Sequence, residues 1–140
     1  FDGGTVFLSV READRHAVVH VGRELVRLGY ELVCTRGTRA ALEAAGVDSE
    51  PVSKISEGRP NVLDLLADRK IDLVINTPSG RGPRTDEGRI RALTVQRGVP
   101  CITTLSGAAA ALNAIDRIRE RGYGVRALQD YFEPAGPRSV

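Results

Sequence analysis

Aromatic residues make up only 4% of this sequence, and tryptophan is absent. The core must therefore come from aliphatic side chains, and 41% hydrophobic content over 140 residues is enough for one domain. No apolar run approaches the roughly 20 residues that span a bilayer, and the first residues do not resemble a signal peptide. Methionine is also absent and the chain begins at Phe1, so we expect a segment of a longer, cytoplasmic polypeptide without membrane contact.

The sequence has no strong excess of either charge. Twenty basic residues stand against 18 acidic ones, a net charge of +2. A dedicated nucleic-acid binder normally carries a basic excess on one face, so the balance argues against nucleic acid as a partner. Lys54 and Lys70 are the only lysines among the 20 basic residues. Because an ammonium differs physically from a guanidinium fork, Lys54, in a predicted loop, is a candidate ligand-binding residue.

Two residue pairs are of types that can form a disulfide or bind a metal. Cys34 and Cys101 each lie in an apolar, strand-like run without C-x-x-C spacing, which favours buried free thiols in a reducing compartment. His16 and His20 have the i,i+4 spacing of zinc ligands on a helix, but no glutamate follows His16 as in the zinc-protease pattern. We therefore expect a solvated helix face there and no metal site.

Strand-like and helix-like segments alternate along the chain. Apolar runs predict five strands: Thr5–Val10, Glu31–Cys34, a weak edge strand around Pro51–Val52, Asp72–Ile75 and Pro100–Thr103. Apolar residues at helical spacing predict five helices: Asp14–Leu28, Thr38–Ala45, Asn61–Asp68, from about Thr85 to Gln96, and Leu105–Arg121. Asp14 is the expected N-cap of the first helix, and Gly29 the residue that ends it.

The alternation predicts an α/β fold of three layers, with a five-stranded parallel sheet covered by helices on both faces. We expect one domain over residues 1–130 and a C-terminal tail over residues 131–140. Sheets of this kind bind ligands beyond the carboxyl ends of their strands, where the strand order reverses. The loops at those ends are therefore where a functional site is expected.

Those loops carry small hydroxyl residues, glycines and cations. In chain order they are Ser9, Arg11 and Arg15; Thr35–Thr38; Lys54–Arg59; Asn76–Gly80; and Thr103–Gly107. Such residues at helix N-termini suit a phosphate, which accepts from backbone N–H groups, hydroxyls and a cation. Taken alone, Thr35–Thr38 and Asn76–Gly80 are equally consistent with an ordinary cap or turn, and Lys54 is more typical of a solvated surface lysine. Their expected convergence on one rim of the sheet favours a phosphate site, and no nucleophile–base pair, P-loop or G-x-G-x-x-G pattern is present.

Five motifs carry a family resemblance. In order and at matching spacing they are Ser9–Asp14, Thr35–Thr38, Lys54–Pro60, Ile75–Gly80 and Thr103–Gly107. Together they resemble the C-terminal allosteric domain of the carbamoyl-phosphate synthase large subunit, which has the methylglyoxal synthase-like fold. The resemblance extends from about Thr5 to Leu128, and its specificity lies in five motifs in register.

The resemblance implies a non-catalytic domain that binds UMP as an inhibitor and, in some relatives, IMP as an activator. The parent enzyme is a glutamine-hydrolysing, ATP-dependent ligase that makes carbamoyl phosphate from bicarbonate, ammonia and two ATP in pyrimidine and arginine biosynthesis. Its ATP and divalent metal belong to other parts of the enzyme, so no cofactor is implied for this segment. The implied partners are the synthetase domains of the same subunit and the glutaminase small subunit.

The resemblance also implies site residues. The phosphate site would consist of Ser9, Arg15, Thr35, Thr38, Lys54, Asn76, Thr77 and Ser79. Asp86 and Ile90 would lie towards the ribose and base, and Thr103 would face the neighbouring synthetase domain, near where ornithine acts. Two positions depart from the family: Arg15 stands where lysine is common, and Pro78, which has no hydroxyl or N–H, where a second threonine is common. Ser79 and Gly80 are the residues that could compensate for Pro78.

The alternative function is catalytic. Methylglyoxal synthase, a lyase, shares this fold and eliminates phosphate from dihydroxyacetone phosphate with a carboxylate base in a Gly-Gly-Asp loop. Here the equivalent stretch, Glu57–Pro60, has no aspartate after its glycine, and Asn76–Ser79 replaces the histidine and aspartate of that enzyme. Without a base the proton has no acceptor. A purine-pathway cyclohydrolase of similar fold ranks lower because its lysine-rich site is absent.

Overall fold

A computed structural model describes residues 4–53, 61–78 and 86–120 of the chain. Within them, strands and helices alternate. The strands are β1 (Thr5–Ser9), β2 (Glu31–Cys34), β3 (Glu50–Pro51), β4 (Leu73–Asn76) and β5 (Cys101–Ile102). The helices are α1 (Val18–Arg27), α2 (Arg36–Ala44), α3 (Val62–Ala67), α4 (Asp86–Arg97) and α5 (Leu105–Glu120), preceded by a 3₁₀ turn at Glu12–Asp14.

The five strands form one parallel sheet in the order β3-β2-β1-β4-β5. From β1 the chain first proceeds outward through β2 to β3, then crosses back to β4 on the other side of β1. The strand order therefore reverses between β1 and β4. The predicted parallel sheet is confirmed, and so is the position of the third strand at an edge.

Helices cover both faces of the sheet, so β1, at its centre, is buried on both sides. Val6 and Leu8 pack in one core cluster with side chains of α1, α2 and α5. Phe7 points the opposite way, into a second cluster with side chains of α3 and α4. Successive residues of a strand face opposite sides, so this alternation builds the three predicted layers.

The predicted start of the first helix is wrong. The α1 helix begins at Val18, and Ala17 precedes it without a side-chain cap. Asp14 lies instead in the 3₁₀ turn, where its carboxylate accepts a hydrogen bond of 2.9 Å from Nε of Arg11. Asp14 thus lies three residues before Ala17, which occupies the N-cap position. Gly29 does follow the end of α1, with φ of 92°, as predicted.

The other boundaries differ by one or two residues or agree. The β2 strand matches its prediction, whereas α2 begins at Arg36, two residues before Thr38. The β4 strand is displaced by one residue, so that Asn76 ends the strand and does not follow it. The predicted tail, residues 131–140, lies outside the described residues. In the part of the chain that is described, no helix is long and apolar enough to cross a bilayer.

Both cysteines are free, and Cys34 is fully buried whereas Cys101 is partly exposed. They lie on β2 and β5, three strand spacings apart in the sheet. Three spacings amount to about 14 Å, too far for a disulfide between them. Burial raises the pKa of the Cys34 thiol to about 12.

This raised pKa predicts a loss of stability at high pH. The unfolded thiol ionises near pH ~8.5, whereas the folded thiol stays protonated, so raising the pH from there towards 12 favours unfolding. The free energy of unfolding, measured by urea denaturation, should fall less steeply over that range in Cys34→Ala than in the native chain. Equal slopes in the two chains would show that ionisation of Cys34 does not cause the loss of stability.

Candidate functional site

The candidate site lies at the carboxyl ends of β2, β1 and β4, where the strand order reverses. The register places Ser9, at the end of β1, opposite Asn76, at the end of β4. On the other side, Leu8 pairs with Cys34, so Thr35 follows directly beside Ser9. Three of the predicted site residues are thereby brought together on neighbouring strands. We call the described residues Ser9, Arg15, Thr35, Gly37, Thr38, Asn76 and Thr77 the rim.

Thr35 and Ser9 share a hydrogen bond of 2.8 Å between their hydroxyl oxygens. Thr35 occupies the N-cap position of α2, where threonine normally accepts a hydrogen bond from the first turn. Its side chain makes no such bond. The pairing with Ser9 holds the hydroxyl in another direction, so that Thr35 itself does not cap α2.

Two other helices of the same domain have side-chain caps. Asn61 accepts a hydrogen bond of 2.9 Å from N–H of Leu63 in a capping box at α3. Thr104 accepts one of 3.0 Å from N–H of Gly107 at α5. The uncapped start of α2 therefore contrasts with these helices although it has a capping residue in place. The positive end of a helix is a favourable position for an anion.

Thr38 and Thr77 hold the chain that leaves β1. The hydroxyl oxygen of Thr38 accepts a hydrogen bond of 2.9 Å from the buried N–H of Val10, and Thr38 is only 1% exposed. The hydroxyl oxygen of Thr77 accepts one of 2.9 Å from N–H of Arg11. A threonine hydroxyl can donate one hydrogen bond while it accepts another. Both residues therefore shape the loop after β1.

Arg15 reaches from this loop to the first turn of α2. Its guanidinium lies so close to Gly37 that a β-carbon on Gly37 would overlap it. The Nε atom of Arg15 is buried and has no hydrogen-bond partner, and no ion pair of Arg15 is found in the described part of the chain. A cation beside the positive end of a helix is electrostatically unfavourable by itself. An anion beside both the guanidinium and the start of the helix would offset this repulsion.

The remaining predicted site residues either lie outside the described residues or are not part of the rim. Lys54 and Ser79 lie outside the described residues. The α4 helix begins at Asp86, whose side chain also lies outside them. Ile90 packs in the core with α3 and is 5% exposed, which leaves little surface for a ribose or base. Thr103 follows β5 and is partly exposed; its proximity to another domain stays a prediction.

One rim residue was missed by sequence reasoning. The sequence shows Gly37 as part of the Thr35–Thr38 motif and indicates no separate role for it. Nothing local identifies it, because its significance comes from Arg15, 22 positions earlier in the chain.

Within the described residues, no metal site is found, and the groove at the β3 edge has no rim residue in its lining. Among residues 4–53, 61–78 and 86–120, no group of three His, Cys, Asp or Glu side chains is arranged to hold a metal ion. His16 and His20 are exposed, as expected. A groove of about 590 Å³ lies at the β3 edge, lined by residues including Val33, Arg39 and Leu65. None of the predicted site residues that the structure describes lines this groove.

These features define a three-layer α/β domain with a rim of hydroxyls, an arginine and an uncapped helix N-terminus at the point of strand reversal. The chain belongs to the MGS-like domain family, which matches residues 17–103. The methylglyoxal synthase of Elizabethkingia anophelis has the same fold, with a TM-score of 0.65 over 79% of this chain and 78% of that one. At 22% identity, that likeness concerns the fold alone.

Sequence relatives are more specific. The carbamoyl phosphate synthase large chain of Rhodopirellula baltica is 47% identical over 91% of this chain and 12% of its own length. The large chain of Archaeoglobus fulgidus is 43% identical over 93% of this chain, again 12% of its own length. The protein of Methanopyrus kandleri named as the C-terminal section of that large chain is 44% identical over 91% of this chain and 24% of its own. These relatives confirm the resemblance drawn from the five motifs.

Proposed function

We propose that this chain is the regulatory domain of a carbamoyl phosphate synthase large chain and binds UMP, and also IMP, through their phosphate. The relatives support a carbamoyl phosphate synthase as the parent enzyme. The chain spans 12% of the length of the first two relatives. The observation that carries phosphate binding is the guanidinium of Arg15, whose buried Nε has no partner, beside the uncapped N-terminus of α2.

A phosphate dianion at the rim completes these interactions. Its oxygens accept from the first-turn N–H groups of α2 and from Arg15, and a charge-assisted bond is about twice as strong as a neutral one. The hydroxyls of Thr38 and Thr77 each have a proton to donate, since their oxygens accept from backbone N–H groups. In this proposal Lys54 adds a second cation and Ser79 a further hydroxyl, and Asp86 contacts the ribose.

Regulation follows from differential binding. A nucleotide shifts the parent enzyme only as far as it prefers one of the enzyme's states, typically by about 1–3 kcal/mol. UMP would inhibit, and IMP would activate, the synthesis of carbamoyl phosphate by the synthetase domains and the glutaminase subunit. Thr103 would lie at the contact between this domain and the synthetase domains. Phosphate release from dihydroxyacetone phosphate above the protein-free rate would instead support the lyase.

The test compares UMP with uridine, which has the same base and ribose without phosphate. UMP at 100 times its dissociation constant should raise the free energy of unfolding by about 2.7 kcal/mol, whereas uridine at the same concentration should raise it far less. Calorimetry should then show at least about tenfold weaker UMP binding in Lys54→Ala, because a hydrogen bond to a charged group contributes about 1.5–3 kcal/mol.

Lys70→Ala is the matched control. Lys70 is the other lysine of the chain, and it follows α3, at the end of the sheet opposite the rim. Its removal should leave UMP affinity unchanged. Equal stabilisation by UMP and uridine would refute a phosphate site, and equal losses in the two lysine variants would remove Lys54 from it.

A further inference from the structure

The backbone conformation at Gly37 does not require a glycine. It lies in the first turn of α2, and its φ is not in the left-handed region that favours glycine. Glycine is also a weaker helix former than alanine. The reason lies in space: the guanidinium of Arg15 occupies the volume that a β-carbon at this position would take.

We infer that Gly37 is a positioning residue for phosphate recognition, an inference that rests on the proposed function. Its missing side chain lets the Arg15 guanidinium lie across the first turn of α2. There the guanidinium lies against Gly37, with its Nε buried and an Nη atom nearest to the position that a β-carbon would take. Arginine and the helix thereby present their donors to the same anion, a geometry that suits a bidentate contact with a phosphate.

A methyl group at position 37 should affect binding without disrupting the fold. The atoms that it would meet are the end of the Arg15 side chain, not the backbone or the packed core. The end of a long side chain can move away by changing rotamer, without a shift of the backbone. Arg15 would then leave the first turn, while α2 gains a residue of higher helix propensity. Affinity for phosphate should fall, and stability without ligand should not.

A double-mutant cycle isolates this effect. Calorimetric titration with UMP should show that Gly37→Ala weakens binding about tenfold, which corresponds to one charge-assisted contact. In the Arg15→Ala background, the same change should alter the affinity less than about twofold, because the side chain through which Gly37 acts is gone. A loss of equal size in both backgrounds would overturn the inference, since the new methyl group would then act on the ligand or the helix directly. No loss in either background would also overturn it.

A second measurement needs no nucleotide and separates this inference from the proposed function. The Nε–H of Arg15 is buried, so its NMR signal in the ligand-free chain should exchange slowly with water, as few arginine side chains do. In Gly37→Ala the signal should move and exchange rapidly. An unchanged, slowly exchanging signal would overturn the positioning role whether or not the chain binds UMP. A chain that binds neither UMP nor inorganic phosphate but shows this change would retain the Gly37–Arg15 contact and lose the proposed function.

Discussion

Replacing Arg15 by alanine is expected to weaken UMP binding by tenfold or more and, without nucleotide, to leave the free energy of unfolding unchanged or raised. The loss of affinity reflects a charge-assisted contact of about 1.5–3 kcal/mol. The unchanged stability has a separate cause. The guanidinium lies beside the positive end of α2, and its Nε is buried without a partner. Both features cost free energy in the ligand-free chain, so removal of the side chain relieves them.

Calorimetry with UMP and urea denaturation without it measure the two halves of this prediction. Arg23→Ala is the matched control because Arg23 lies on α1, is exposed, and donates a hydrogen bond of 3.1 Å to the carbonyl of Ala45, away from the rim. The control should bind UMP as the native chain does. An Arg15→Ala chain that loses stability and keeps its affinity would show that Arg15 supports the fold and not a phosphate.

Replacing Phe7 by alanine is expected to lower the free energy of unfolding by about 3–5 kcal/mol. Phe7 is the largest fully buried side chain of the described residues and stands on the central strand, in the cluster that joins the sheet to α3 and α4. Its removal leaves a cavity that the surrounding strands cannot fill, because parallel neighbours on both sides hold β1 in place. Against a typical total of 5–15 kcal/mol, this is a large share of the stability.

Thermal or urea denaturation measures the change, with a fall in melting temperature of about 10 °C or more. Val95→Ala is the control, since Val95 lies on α4 with 77% of its surface exposed, and such a change typically alters stability by less than about 0.5 kcal/mol. A similar effect of the two substitutions would place Phe7 outside the core and contradict the packing described above.

The fold could be predicted in most of its elements because hydrophobic patterns are local. The apolar run at β2 and the helical spacing before Gly29 identified their elements directly. The start of α1 could not be identified this way. Asp14 is a favoured capping residue, but it lies in a separate 3₁₀ turn, and its carboxylate accepts from Arg11. Where that turn ends and α1 begins is not visible in the hydrophobic pattern.

The site could be predicted in residue type and in place, but not in the role of each residue. The motifs indicated that Thr35, Thr38 and Thr77 would gather at one end of the sheet, which a parallel α/β topology requires of its strand ends. Their hydroxyl partners, Ser9 and the N–H groups of Val10 and Arg11, follow only from strand order and register.

By itself the sequence determined the α/β class, the succession of elements and the chemical types at the strand ends, since each depends on neighbours within a few residues. The tertiary structure alone decided that Ile90 lies in the core, that Thr35 leaves α2 uncapped, and that Gly37 lies under Arg15. These outcomes depend on contacts between residues far apart in the chain, and such contacts exist only once the sheet has brought β1, β2 and β4 side by side.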